Sequence, residues 1–151
     1  MPSTVLRTLA TTLALLAATE TAAAGNPARV VLYALVMPRA KLEVLHQAQE
    51  LYISQTDIDR GYLELPAASR FALTTNCPYH IEVHASGEWF RSVRVGGLAH
   101  DLEVSANDRR AAPGPVSLTT VHGILSYRFE FNSKAKPGTY AWPIRLFVQP
   151  G

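Results

Sequence analysis

Pro137-Gly138-Thr139-Tyr140-Ala141-Trp142-Pro143-Ile144-Arg145-Leu146-Phe147-Val148-Gln149-Pro150 reads as a turn followed by one long closing β-strand. Tyr140, Trp142, Ile144, Leu146 and Val148 fall at every second position, the period that puts side chains on one face of a strand. Pro143 has no N–H to give a ladder, so the strand is expected at a sheet edge or with a bulge there. A closing strand needs a sheet to close, and the chain before it supplies alternating segments in number.

The clearest is Tyr79 to Ala85, with Tyr79, Ile81, Val83 and Ala85 on one side and His80, Glu82 and His84 on the other. Ser86-Gly87-Glu88 gives a short hairpin connection into Trp89 to Val95, where Trp89, Arg91, Val93 and Val95 alternate with Phe90, Ser92 and Arg94. From Ile124 to Phe131 the apolar set is Leu125, Tyr127, Phe129 and Phe131. Shorter strands are expected at Tyr62 to Leu65, Phe71 to Thr75, Leu98 to Ser105 and Val116 to Val121. Asn107-Asp108 and Ala111 to Pro115 read as the main interior loop, and Asp57 to Gly61 as a turn. Leu42, Val44 and His46 continue a period of two, although Leu42, Leu45, Ala48 and Leu51 also approach helical spacing. Turn signals every 8 to 12 residues or so point to an all-β, antiparallel immunoglobulin-like β-sandwich.

Two segments precede that domain. Arg7, the apolar run Leu9 to Ala18 and Ala22-Ala23-Ala24 before Gly25 make a secretory signal peptide over residues 1–24. The apolar run is about half of what a membrane span needs, so no transmembrane segment is expected in the mature chain, and the protein is placed in the periplasm or at the cell surface. Residues 25–37 form an N-terminal strand or donor segment: Arg29 to Met37 is apolar, β-branched or aromatic and is stopped by Pro38. Residues 38–151 are the sandwich.

Composition narrows the functions. Of 151 residues, 48% are hydrophobic and 17% charged, and the formal net charge is +2; loss of Arg7 and Glu20 with the leader leaves that charge unchanged. Neither the balance nor the small clusters Arg91, Arg94 and Arg109-Arg110 form a nucleic-acid footprint. Cys77 is the single cysteine, so no intramolecular disulfide can form in an oxidising compartment; the thiol is either buried or available to a second chain. His80 and His84 sit four apart on one strand, about 13 Å from each other, too far to share a metal ion. No Gly-x-Ser-x-Gly elbow and no phosphate loop before a helix occurs. The expectation is a protein without catalytic residues, metal or cofactor. A ligand-binding alternative uses Trp89, Tyr140 and Trp142 as a stacking platform for a carbohydrate.

Lys136-Pro137-Gly138-Thr139-Tyr140 before the terminal strand, and more loosely Phe71 to Asn76 before Tyr79 to Val83, resemble the subunits of bacterial chaperone-usher pili, in particular the archaic, spore-coat-U-like branch. The resemblance implies an incomplete immunoglobulin-like sandwich completed by a strand from the next subunit, a known recognition mode. It also implies like subunits or a periplasmic chaperone as partners. Carried over, Val30, Val31, Leu32, Tyr33, Ala34, Leu35 and Val36 are the donor strand, with Val30, Leu32, Ala34 and Val36 as one inserted face. Read without the resemblance, the same residues are an ordinary first strand of a self-complete domain. The function expected is pilus-like assembly or surface attachment.

Overall fold

The computed structural model describes residues 33–151; the signal segment and Val30, Val31 and Leu32 lie outside the described residues. The chain divides into two units, residues 1–35 and Val36–Gly151, and every described strand belongs to the second. In chain order these are β1 (Ala40–Gln47), β2 (Glu50–Ile53), the helix α1 (Gln55–Arg60), β3 (Tyr62–Thr75), β4 (Tyr79–Ala85), β5 (Phe90–Gly96), β6 (Leu102–Ser105), β7 (Arg109–Gly114), β8 (Val121–Phe131), β9 (Gly138–Ala141) and β10 (Ile144–Pro150).

They form an all-β antiparallel sandwich, as the alternation implied. One sheet has the order β1-β3-β8-β5-β6, the facing sheet the order β10-β4-β7, and β2 pairs with β9 in a short ribbon. The strand period fills the space between the sheets. Tyr79, Ile81, Val83 and Ala85 of β4 are buried and face Leu73 of β3, Val93 and Val95 of β5, and Leu125, Tyr127 and Phe129 of β8 in one core. Each Val, Leu, Ile or Phe side chain so removed from water contributes about 1.5–3 kcal/mol.

Several local expectations change once the strands pair. Tyr62–Leu65 and Phe71–Thr75 are one long strand, β3, joined through a bulge between Leu65 and Ser69 where Ala67 takes a positive φ of 53°. A second bulge between Phe90 and Ser92 breaks the alternation expected in β5, so Phe90, Ser92 and Val93 are buried while Arg91 is exposed. The loop expected at Ala111 to Pro115 is largely β7, held to β4 from Tyr79↔Gly114 to His84↔Arg109; Pro113 is tolerated because β7 is an edge strand. Conversely, residues 116–120 are in no strand, and β8 begins at Val121.

Asp57 to Arg60 is helical rather than a simple turn. Ser54 caps α1 by accepting from the Asp57 amide at 3.2 Å, and Asp57 answers by accepting from the Ser54 amide at 3.0 Å. Gly61 ends the helix with φ 88°, a conformation that costs glycine no Cβ clash. Arg60 and Arg128 both lie over the Tyr62 ring that follows, 4.5 and 4.0 Å from its centroid.

The largest revision concerns Pro137 to Pro150. The single closing strand is two strands, β9 and β10, in two different sheets, with Trp142 and the buried Pro143 between them. Pro143 cannot continue a ladder, and its carbonyl instead accepts from the Ser86 amide at 2.9 Å, which carries the chain across to β4. The edge position expected for this stretch is observed for β10.

Candidate functional site

Two strand edges lie side by side on one flank of the sandwich. β1 ends the five-stranded sheet and β10 ends the three-stranded one, and among the described residues neither outer edge has a ladder partner. The two are tied together at one end: the Gln47 side-chain amide donates to the Ile144 carbonyl at 2.7 Å, and the Trp142 amide donates to the Gln49 carbonyl at 2.8 Å. Along the rest of the flank, Ala40 and Leu42 face inward opposite Thr75 and Leu73, and Val44 does so opposite Phe71. Leu146 and Val148 face inward from β10, between the buried Ile144 and the open end.

These rows are only half covered. Ala40, Leu42, Leu146 and Val148 are partly buried against the core, while Val44 is 40% exposed. A bulge between Val44 and His46 turns Leu45 outward, 52% exposed. The opposite flank is different in kind, because the chain itself links β6 to β7 through the turn at Asn107 and Asp108.

Of the donor-strand residues, Tyr33, Ala34, Leu35 and Val36 belong to no strand and are exposed. That differs from the expectation of a strand running through to Met37, which is also exposed. Residues 33–37 are in no strand, and the first strand among the described residues is β1.

The proposed stacking platform takes another form. Trp89 is 7% exposed and packs against Phe90, Phe129 and Tyr140, with ring centroids 4.8, 5.2 and 5.2 Å away. Trp142 meets Tyr127 edge to face at 5.1 Å. The Tyr140 hydroxyl donates to the Lys136 carbonyl at 2.8 Å and accepts from the Lys136 amide at 3.2 Å, closing the Pro-Gly turn. Trp89 is therefore part of the core, while Tyr140 and Trp142 pack against it and remain partly exposed. The physical reason is the split at Pro143, which sends β9 to pair with β2 instead of continuing β10.

Among the described residues no three His, Cys, Asp or Glu side chains gather in a metal-binding group. His84 Nε2 is 3.0 Å from Glu82 Oε2. Cys77 is buried, its Sγ 3.6 Å from the Thr75 hydroxyl, and Thr75 donates to the Cys77 carbonyl at 2.7 Å. No described helix is long and apolar enough to cross a membrane.

Sequence reading missed a polar cleft of about 590 Å³ beside β4, lined by His84, Ala85, Ser86, Asn107, Asp108, Arg109 and Arg145. Arg109 lies between two stretches that read as loop, so nothing in the sequence places it beside His84. The available signal was the alternation of Arg109, Ala111 and Pro113 with the buried Ala112.

These features define a class, an antiparallel β-sandwich with two adjoining open strand edges. Comparison of the chain with known protein families, with characterised proteins and with solved structures found no match.

Proposed function

We propose that this protein is an exported, non-enzymatic β-sandwich that acts by assembling with other protein chains, taking a partner's strand at the β1 and β10 edges as a pilus-like subunit or accessory. The observation that carries the reading is the flank just described: two free edges with half-covered apolar rows between them. An edge of this kind recruits a strand unless something protects it. Main-chain hydrogen bonds then supply affinity, and alternate side chains fill the space between the sheets.

The segment around Val30 to Val36 suits the part of donor. It is apolar throughout, and Tyr33 and Leu35 are 92% and 94% exposed. Val30, Leu32, Ala34 and Val36, supplied by a second copy, match the small and medium side chains of Ala40, Leu42, Val44, Leu146 and Val148. A leader peptide and the resemblance to chaperone-usher subunits support the same reading and place the protein in the periplasm or on the cell surface, with like subunits or a periplasmic chaperone as partners.

Size-exclusion chromatography of the leaderless protein tests it. The intact chain is expected to form concentration-dependent oligomers, and a variant lacking residues 25–37 to remain a folded monomer. A peptide copying Ala28 to Met37 is expected to bind that monomer. Loss of folding on deletion makes the segment an integral part of the domain and sinks the proposal.

A further inference from the structure

The outward face of the β10-β4-β7 sheet carries a row that none of the assembly chemistry uses. Register places Arg145 of β10 opposite His84 of β4, and His84 opposite Arg109 of β7. Side chains directly opposite in antiparallel strands have Cβ atoms about 4.5–5.5 Å apart, and like charges so placed are destabilising. Two guanidinium groups therefore flank one imidazole along the wall of the same cleft. Among the described residues neither Arg109 nor Arg145 has an ion-pair partner in its side chain.

The nearby acids are already engaged. Asp108 accepts from the Arg109 amide at 2.8 Å with one oxygen and lies 3.7 Å from Arg110 with the other. Glu82 is paired with His84. The cleft is thus left with uncommitted positive charge, in forks shaped to grip a carboxylate. Its volume of about 590 Å³ falls within the roughly 300–1,000 Å³ of small-molecule clefts. One row along β10 from Arg145, Phe147 is 45% exposed and its ring centroid is 4.6 Å from that of His84. Phe147 sits next to the cleft wall, outside its lining, and its aromatic face beside Arg145 offers one surface for the C–H face of a sugar ring while the arginines on either side of His84 offer another for its acid group.

We propose that this cleft binds a carboxylated saccharide, its carboxylate held by Arg145 and Arg109 over His84 and its ring lying on Phe147. The strand period separates this site from the assembly edge. Arg145 and Phe147 point outward from β10, whereas Leu146 and Val148 point between the sheets.

Titration of the isotopically labelled protein with glucuronate, followed by amide chemical shifts at low ionic strength, is the test, with glucose and inorganic sulfate as controls. Glucuronate is expected to shift His84, Arg109, Arg145 and Phe147, glucose to shift nothing, and sulfate to bind about tenfold more weakly. The double variant Arg109→Gln/Arg145→Gln is expected to lose about tenfold or more in glucuronate affinity with an unchanged melting temperature. Phe147→Ala should weaken glucuronate several-fold and leave sulfate as it was. Absence of binding, shifts confined to another face, wild-type affinity in the double variant, or sulfate binding equal to glucuronate would each overturn the assignment. Should the double variant not fold, Arg145→Lys, which keeps the charge and loses the fork, is expected to weaken glucuronate several-fold, and wild-type affinity there also counts against the proposal.

Discussion

Tyr127 puts a hydroxyl into the middle of an aromatic core, and Ser69 across the sheet makes that arrangement stable. The Tyr127 hydroxyl donates to Ser69 Oγ at 2.9 Å, with both residues buried. Replacing Tyr127 with Phe leaves the Ser69 hydroxyl without this partner and is expected to cost about 1–2 kcal/mol in denaturant unfolding. Burial also pushes the Tyr127 phenol up from 10.0 to about 12, against the opposing effect of the Ser69 bond. The unfolded chain releases this proton near pH 10 and the folded chain only near 12, so between those values the unfolded state binds fewer protons. Stability therefore falls as pH rises through that window, by at most about 2–3 kcal/mol. Burial raises Tyr79 in the same direction, so the check is the difference between wild type and Tyr127→Phe. The variant should show the shallower loss between pH 10 and 12. Trp142 provides the contrast. Its indole Nε1 is buried with no protein partner, so Trp142→Phe removes an unsatisfied donor and is expected to cost less than a Phe129→Ala cavity, which should cost about 3–5 kcal/mol.

At the level of single elements, β10 has two faces with different expected tasks. Val148 faces the gap beside β1, and Phe147 faces solvent beside His84. Val148→Lys is expected to abolish docking of the Ala28 to Met37 peptide at a modest loss of stability, since Val148 is partly buried on an edge strand where a lysine can reach water. Phe147→Ala should leave that docking unchanged. Equal loss in both variants, measured by peptide titration, would mean that β10 acts by its overall fold and not by its inward row. The helix α1 depends on its cap in a similarly local way. Ser54 supplies the N-terminal acceptor, and the Ser54 bonds, with help from Arg60, lower the Asp57 carboxyl below its usual value. Ser54→Ala is expected to cost about 1 kcal/mol in chemical denaturation.

The whole molecule has one buried thiol and no possibility of an internal disulfide. Its cohesion comes from a core that runs from Ile53 and Phe90 at one end through Phe129, Leu125 and Val83 to Leu73. Reductant should therefore leave the melting temperature of the monomer unchanged. Cys77 should react slowly with a thiol reagent in the native protein and rapidly once denatured, because Sγ is enclosed near Thr75 and the Arg39 carbonyl. Fast native labelling would indicate that the junction between β3 and β4 opens more readily than the packing around Thr75 suggests.

The amino-acid sequence by itself determined the class of fold, because burial on one face of a strand writes itself as a period of two: β4 and β8 can be read residue by residue from Tyr79 to Ala85 and from Leu125 to Phe129. It also determined that Pro143 could not donate to a ladder and that Cys77 would have no partner within the chain. Only the tertiary structure decided where pairing resumes. Bulges at Leu45, Arg91 and after Leu65 shift the period without changing composition, and β7 gains its hydrogen bonds from β4, not from any preference of Arg-Arg-Ala-Ala-Pro-Gly for a strand. The aromatic set Trp89, Tyr140 and Trp142 was visible as a set, and only packing decided that Trp89 is buried while Tyr140 and Trp142 stay partly exposed. Conversely, the row Arg145, His84 and Arg109 was invisible, since its members are separated by tens of residues and meet only through the register of three strands.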